Sequence, residues 1–132
     1  METPTSMSLQ SKFIIFIIVV VLFIGGLGAF MSKANNAPSK LDGFAQCIAG
    51  SGTKFYGAFW CPHCQAEKAL FGNSKKYLPY IECSNADKTQ TKICIDNKIE
   101  GYPTWIFKDL SRLTGEVSLQ TLADKTQCLL PK

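Results

Sequence analysis

Cys61-Pro62-His63-Cys64 is the segment of this sequence best suited to chemistry. Two thiols with two residues between them can exchange a disulfide with another thiol pair and carry two electrons without a cofactor. On a helix the spacing puts both sulfurs on one side, Cys64 one turn deeper than Cys61. Pro62 suits the first helical position, where its missing N–H removes no hydrogen bond. Cys61 would then sit against unpaired backbone N–H groups and the positive end of the helix dipole. Both favour the thiolate, the attacking species. Cys61 is therefore the candidate nucleophile and Cys64 the resolving thiol, with Pro62 and His63 as the residues that tune them. A protonated His63 adds positive charge beside the Cys61 thiolate, and stabilising the reduced form makes the disulfide a stronger oxidant.

Other uses of such cysteines compete. A zinc ribbon needs a second close pair, but Cys83 and Cys94 have ten residues between them. No metal site is expected. Attachment of c-type haem needs a histidine directly after the second cysteine, where Gln65 stands. A purely structural bridge from Cys61 to Cys64 would close a tiny loop and remove little unfolded-state entropy.

The elements around this motif must hold it at a strand-to-helix junction. Phe55 to Trp60 is an apolar run without alternation, which predicts a strand covered on both faces. A helix follows, with an apolar face at Ala66, Ala69 and Leu70. Upstream, Ser39-Lys40-Leu41-Asp42 has the form of a capping box. It opens a helix that carries Leu41, Phe44, Ala45 and Ile48 and stops at Gly50. Downstream come a strand over 78–82, a polar loop over 84–92 and a short helix ending around 93–97. Strands over 104–107 and 112–117 follow, and then a last helix capped by Ser118 with Leu119, Leu122 and Ala123 on its apolar face. This is an α/β order with two closing antiparallel strands.

The length of 132 residues allows one small domain. Net charge is +4 and no run of like charge exceeds two residues, so the basic stripe of a nucleic-acid binder is absent. Much of the 46% apolar content lies in Phe13 to Met31, 19 residues without a charge, Asn, Gln or Pro. As a helix this run is roughly 28 Å long, close to the hydrocarbon thickness of a bilayer. Ser32-Lys33-Ala34 resembles a signal cleavage site, but the run exceeds a usual signal h-region. The expected organisation is a tail over 1–12, a membrane anchor over 13–31, a linker over 32–40 and the domain proper over 41–132. Lys12 on one flank and Lys33 and Lys40 on the other leave orientation open by charge. All six cysteines follow the span, which places 41–132 on the extracytoplasmic side of a single-pass cell-membrane protein.

Trp60-Cys61-Pro62-His63-Cys64 after a strand, followed later by Ile99-Glu100-Gly101-Tyr102-Pro103-Thr104 and Phe107, resembles the thioredoxin superfamily. The stretches 56–65, Leu70-Phe71-Gly72 and Tyr80-Ile81-Glu82-Cys83-Ser84 resemble, more narrowly, the thioredoxin-like domain associated with bacterial vitamin K epoxide reductase homologues. The likeness covers 41–128. The Pro-His dipeptide is similar to that of strongly oxidising periplasmic Dsb-type oxidases. The resemblance implies a minimal thioredoxin-like fold, a central mixed sheet flanked by helices, and a thiol-disulfide oxidoreductase that oxidises substrate protein thiols. It also implies that Pro103 is cis and lies against the active-site pair, with Trp60, Tyr102, Pro103 and Thr104 forming the substrate-binding surface.

Two departures stand out. The family carries a buried acid six residues before the first active-site cysteine, where this chain has Phe55. The proton of Cys64 must go elsewhere, to water or to Glu82 as the candidate acceptor. The reductase homologues also carry a multi-helix quinone-binding domain, which one span cannot build. The reoxidant expected here is a separate, quinone-coupled membrane protein. Cys83 and Cys94 are read as a structural disulfide, with a second redox relay as the alternative. Cys47 and Cys128 stay open: a bridge between them would tie the two ends of the domain. Against it, the usual thioredoxin topology puts their helices on opposite sheet faces, and they could equally be buried free thiols. Two other functions remain: a reductase or isomerase using the same site, and a non-catalytic binding module.

Overall fold

The structure, a computed structural model, describes residues 9–35 and 38–132. Contacts divide the chain into an N-terminal unit up to Ala37 and a second unit from Pro38 to Lys132. The first contains a single described helix, α1 (Leu9–Asn35), of 27 residues. Its stretch Leu9–Gly28 is long and apolar enough to cross a membrane, and its large apolar side chains from Leu9 to Leu27 are exposed. The helix overruns the expected 13–31 span at both ends, because no proline interrupts it until Pro38. The first part of the expected 32–40 linker is therefore helical. Asn36, Ala37 and residues 1–8 of the expected tail lie outside the described residues.

In the second unit four strands form one sheet in the order β2-β1-β3-β4. They are β1 (Lys54–Gly57), β2 (Tyr80–Glu82), β3 (Thr104–Ile106) and β4 (Arg112–Thr114). β1 runs parallel to β2 and antiparallel to β3, pairing Phe55 with Tyr80 and with Trp105. β3 and β4 are antiparallel. The inner position of β1 and β3 explains their lack of alternation: Phe55, Tyr56 and Gly57, and all three residues of β3, are buried. Helices α2 (Asp42–Gly50), α3 (Pro62–Leu70), α4 (Lys92–Asp96) and α5 (Leu119–Thr126) and a 3₁₀ turn (Gly72–Tyr77) flank the sheet. The fold is thioredoxin-like.

Side-chain alternation along β1 and β3 divides the core. On one face Phe55 stacks on Trp105 at 4.3 Å, packed with Phe44, Ile48, Phe71 and Leu122. On the other, Tyr56 and Ile106 pack with Cys83, Cys94 and Ile99. α2 begins at Asp42 with Leu41 as its N-cap, two residues later than a full capping box with Ser39 as N-cap would place it. The Asp42 carboxylate accepts from the Ser39 N–H at 3.1 Å, while the Ser39 hydroxyl meets the Leu41 N–H at 3.4 Å. The other Asp42 oxygen accepts from the Ser74 hydroxyl at 2.7 Å, tying α2 to the 3₁₀ turn.

Two sequence expectations are corrected. Cys47 and Cys128, left open between a bridge and free thiols, are disulfide-bonded, and the expectation that their helices lie on opposite sheet faces fails. α2 and α5 pack on the same side, with Phe44, Ala45 and Ile48 in one cluster with Leu122, Ala123 and Cys128. This bridge spans 81 residues of sequence and Cys83–Cys94 spans 11. Loop-closure entropy makes the first worth about 4–5 kcal/mol and the second about 3 kcal/mol. The second correction concerns α3. Ala66, Ala69 and Leu70 are exposed, and the helix instead buries Cys64 and Glu67. The redox pair dictates this rotation: turning Cys64 toward the sheet brings the residue three positions on with it.

Candidate active site

β1 ends at Gly57, and the chain turns through 58–60 into α3 with Cys61 as its N-cap and Pro62 at its first turn. Three side chains hold this turn. Gln65 Nε2 donates to the Phe59 carbonyl at 2.7 Å. Glu82 Oε1 accepts from the Phe59 N–H at 3.1 Å. Trp60 Nε1 donates to the Ser84 hydroxyl at 2.8 Å.

Cys61 is almost buried and Cys64 fully so; both are thiols. Cys61 Sγ lies 3.7 Å from the Tyr102 carbonyl oxygen, and the Tyr102–Pro103 peptide is cis. The Trp60 and Tyr102 rings meet edge to face at 6.1 Å. Trp60, Cys61, Cys64, Tyr102 and Pro103 thus share one place. Pro103 is fully buried. Thr104 is turned inward, its hydroxyl donating to the Gly101 carbonyl at 2.8 Å and meeting Thr114 Oγ1 at 3.1 Å. Burial pushes the Cys64 thiol up to about 12, reinforced by its hydrogen bond with Cys61.

His63 is exposed on the outer side of α3, where its Nδ1 lies 2.7 Å from Glu116 Oε1. Glu82, at the end of β2, also accepts from the Ser84 N–H at 2.9 Å on Oε1 and from the Tyr80 hydroxyl at 3.0 Å on Oε2. Lys68 Nζ lies 3.2 Å over the Tyr80 ring. Sequence reading missed Glu67, Lys68, Tyr80 and Glu116. Glu67 carried a signal, because it stands three residues after Cys64 and so shares its side of any helix. The pairing of Tyr80 with Glu82 was visible only as same-face neighbours on a strand.

The chain is similar to a thiol-disulfide oxidoreductase. It is 49% identical over 87 residues to thiol-disulfide oxidoreductase LTO1 of Arabidopsis thaliana, a match that covers 62% of this chain. The chain spans only 23% of the length of that curated relative. No family model matches the chain.

Proposed function

We propose that this chain is a membrane-anchored thiol-disulfide oxidoreductase that oxidises substrate protein thiols through a Cys61–Cys64 disulfide. The observation that carries the proposal is the pairing of Cys61, at the N-terminus of α3 and 3.7 Å from the Tyr102 carbonyl, with a fully buried Cys64 one turn behind. The likeness to a plant thiol-disulfide oxidoreductase supports it.

In the oxidising direction a substrate thiolate attacks Cys61 Sγ. The Cys61–Cys64 bond breaks, and Cys64 leaves as a thiolate and is protonated. A second substrate thiolate then attacks the substrate's own sulfur in the mixed disulfide and releases Cys61. The substrate loses two electrons as a disulfide, and the pair gains them as two thiols. No cofactor is required, since the dithiol carries the electrons. Glu82 supplies that proton in this direction and accepts it from Cys64 when the disulfide is restored. Trp60 and the Tyr102–Pro103 segment receive the substrate chain. α1 anchors the domain, 41–132 faces the extracytoplasmic side, and a separate quinone-coupled membrane protein restores the disulfide. The likeness of 56–65 and 80–84 to domains that partner vitamin K epoxide reductase homologues supports this last assignment.

The reduction potential of the full chain in detergent tests the direction. An oxidase gives a value near that of DsbA, about −120 mV, and a value near that of thioredoxin, about −270 mV, replaces it with a reductase using the same site. Cys64→Ala tests catalysis against a binding role: disulfide-linked partners trapped on Cys61 support an enzyme, and their absence supports a binding module.

A further inference from the structure

Phe55 occupies the β1 position where the resemblance calls for a buried acid, and its ring is spent on Trp105. Cys64 still has to gain and lose a proton in every cycle, from a site with no exposure. The space beside the Gly57 backbone brings two candidate groups near one another. A Cβ on Gly57 would stand 2.9 Å from Cys64 Sγ, 2.9 Å from Tyr80 Cε2 and 3.3 Å from the Tyr80 hydroxyl oxygen. The resolving thiol from α3 and the phenol from β2 therefore converge on one backbone carbon that has no side chain. From there the Tyr80 hydroxyl donates to Glu82 Oε2 at 3.0 Å, and Glu82 is only half-buried, within reach of water. Lys68, one turn beyond Cys64 on α3, covers the Tyr80 ring.

Resting on the redox reading above, we propose that Tyr80 relays the proton between Cys64 Sγ and the Glu82 carboxylate, with Lys68 holding the phenol ring in place. When Cys64 attacks a mixed disulfide at Cys61, its S–H proton passes to the Tyr80 oxygen as the Tyr80 proton passes to Glu82 Oε2. The Cys64 electron pair forms the bond to Cys61 Sγ, and the substrate sulfur leaves as a thiolate with the pair of the broken bond. Glu82 then loses its proton to water. In the oxidising direction the same path runs backwards, and the Cys64 thiolate is protonated as it leaves.

The charges around the path fit a relay in which Tyr80 never ionises. Burial and the adjacent Glu82 carboxylate push the Tyr80 hydroxyl well above its usual range, so the two transfers are coupled and no phenolate forms. Lys68 lies near both Glu82 and Cys64 and pulls the Cys64 thiol down against its burial, while Lys75 opposes the Lys68 charge. Cys61 is the remaining titratable neighbour of Cys64. Glu67, the carboxylate on α3 itself, has both oxygens occupied by fixed N–H donors.

The test uses the full chain in detergent with Cys61 loaded as a mixed disulfide with glutathione, and follows glutathione release by Cys64 from about pH 5.5 to about pH 8.5. General-base assistance makes the wild-type rate nearly level across this range. Tyr80→Phe, which keeps the ring under Lys68, is expected to be slowed about a hundredfold at neutral pH. Its rate should climb about tenfold per pH unit, because only the free thiolate fraction then attacks. Glu82→Gln should reproduce that profile. Alkylation of Cys61 in the reduced Tyr80→Phe protein should match wild type and so certify an intact site. A Tyr80→Phe profile as level and as fast as wild type overturns the relay and leaves the redox reading standing. Failure of wild type to accept glutathione at Cys61 overturns the redox reading, and the relay with it.

Discussion

Glu67 on the active-site helix and Glu82 at the end of β2 differ in burial and in the donors they accept from, the properties that decide what a carboxylate does. Glu67 is completely buried. One of its oxygens accepts from Trp105 Nε1 at 3.0 Å and the other from the Val117 N–H at 2.8 Å. Glu82 is half-exposed and divides its oxygens between two backbone N–H groups and the Tyr80 hydroxyl. An indole or amide N–H gives no proton away at ordinary pH, whereas a phenol can pass one on while receiving another. Depth of burial would select Glu67 as the proton carrier; the chemistry of the donors selects Glu82. Glu67 instead ties α3 to β3 and to the segment before α5, in a core with no buried side-chain polar atom left unsatisfied among the described residues.

The largest effect expected is on stability and comes from Glu67. Glu67→Ala would strand two buried N–H donors and leave a cavity, at a cost of about 3–5 kcal/mol. Urea unfolding of the full chain in detergent measures this, and a loss under about 1 kcal/mol would break the contrast with Glu82. The rate of glutathione release by the folded fraction should stay at the wild-type value.

Glu67→Gln is the milder variant, costing about 1–3 kcal/mol, because an amide satisfies one N–H and opposes the other. It also removes a pH dependence. Burial pushes the Glu67 carboxyl above its ordinary 4.5, against the pull of the Val117 and Trp105 donors. The folded protein therefore binds this proton more tightly than the unfolded chain. Its contribution to stability is complete below about 4.5 and is lost as pH rises through the folded value. Unfolding midpoints measured upward from about pH 4 should fall for wild type and be flatter for Glu67→Gln. Equal slopes would mean that the carboxyl is not held against ionisation.

Gly57→Ala comes next and tests the Glu82 side. The added methyl meets Cys64 Sγ and the Tyr80 ring at 2.9 Å, both in packed surroundings. Overpacking of this kind costs about 1–3 kcal/mol. It should also slow resolution by Cys64, since the thiol and the phenol are pushed apart, while Cys61 alkylation is unaffected. A variant that loses stability but resolves at the wild-type rate would separate the Gly57 contact from the proton path.

The sequence showed Cys61-Pro62-His63-Cys64 and its strand-to-helix setting because these depend on local spacing and turn chemistry. β1 and the N-terminal position of Pro62 follow from the same short-range rules. The bridge between Cys47 and Cys128 was not legible, since it depends on which sheet face α2 and α5 share. Local periodicity carries no information about faces. The buried side of α3 was misread for a related reason. Ala66, Ala69 and Leu70 formed the more apolar stripe, but the sheet contact of Cys64 fixed the rotation and drew Glu67 inside. A buried acid among apolar residues could be recognised only with its partners, Trp105 and Val117, which lie far along the chain.

Glu116 is a third carboxylate near the motif and should give the smallest effect. It stands beside Val117, whose N–H Glu67 holds, and pairs with His63 at 2.7 Å in an exposed position. Exposed pairs contribute about 0–1 kcal/mol, so Glu116→Gln should hardly change stability. Its consequence lies in the charge that His63 presents to Cys61. In a measurement at about pH 5.5, the Glu116 carboxylate offsets the charge of an imidazolium at His63. Removing the carboxylate then leaves that positive charge uncompensated and stabilises the reduced, thiolate-bearing pair. Less than about 1 kcal/mol corresponds to a rise of about 10–20 mV in reduction potential, since about 30 mV is 1.4 kcal/mol for two electrons. Redox equilibrium with glutathione at low and high salt measures it, and about 1 M salt should shrink the difference. A fall in potential at this pH would mean that Glu116 acts by placing the imidazole and not through its charge.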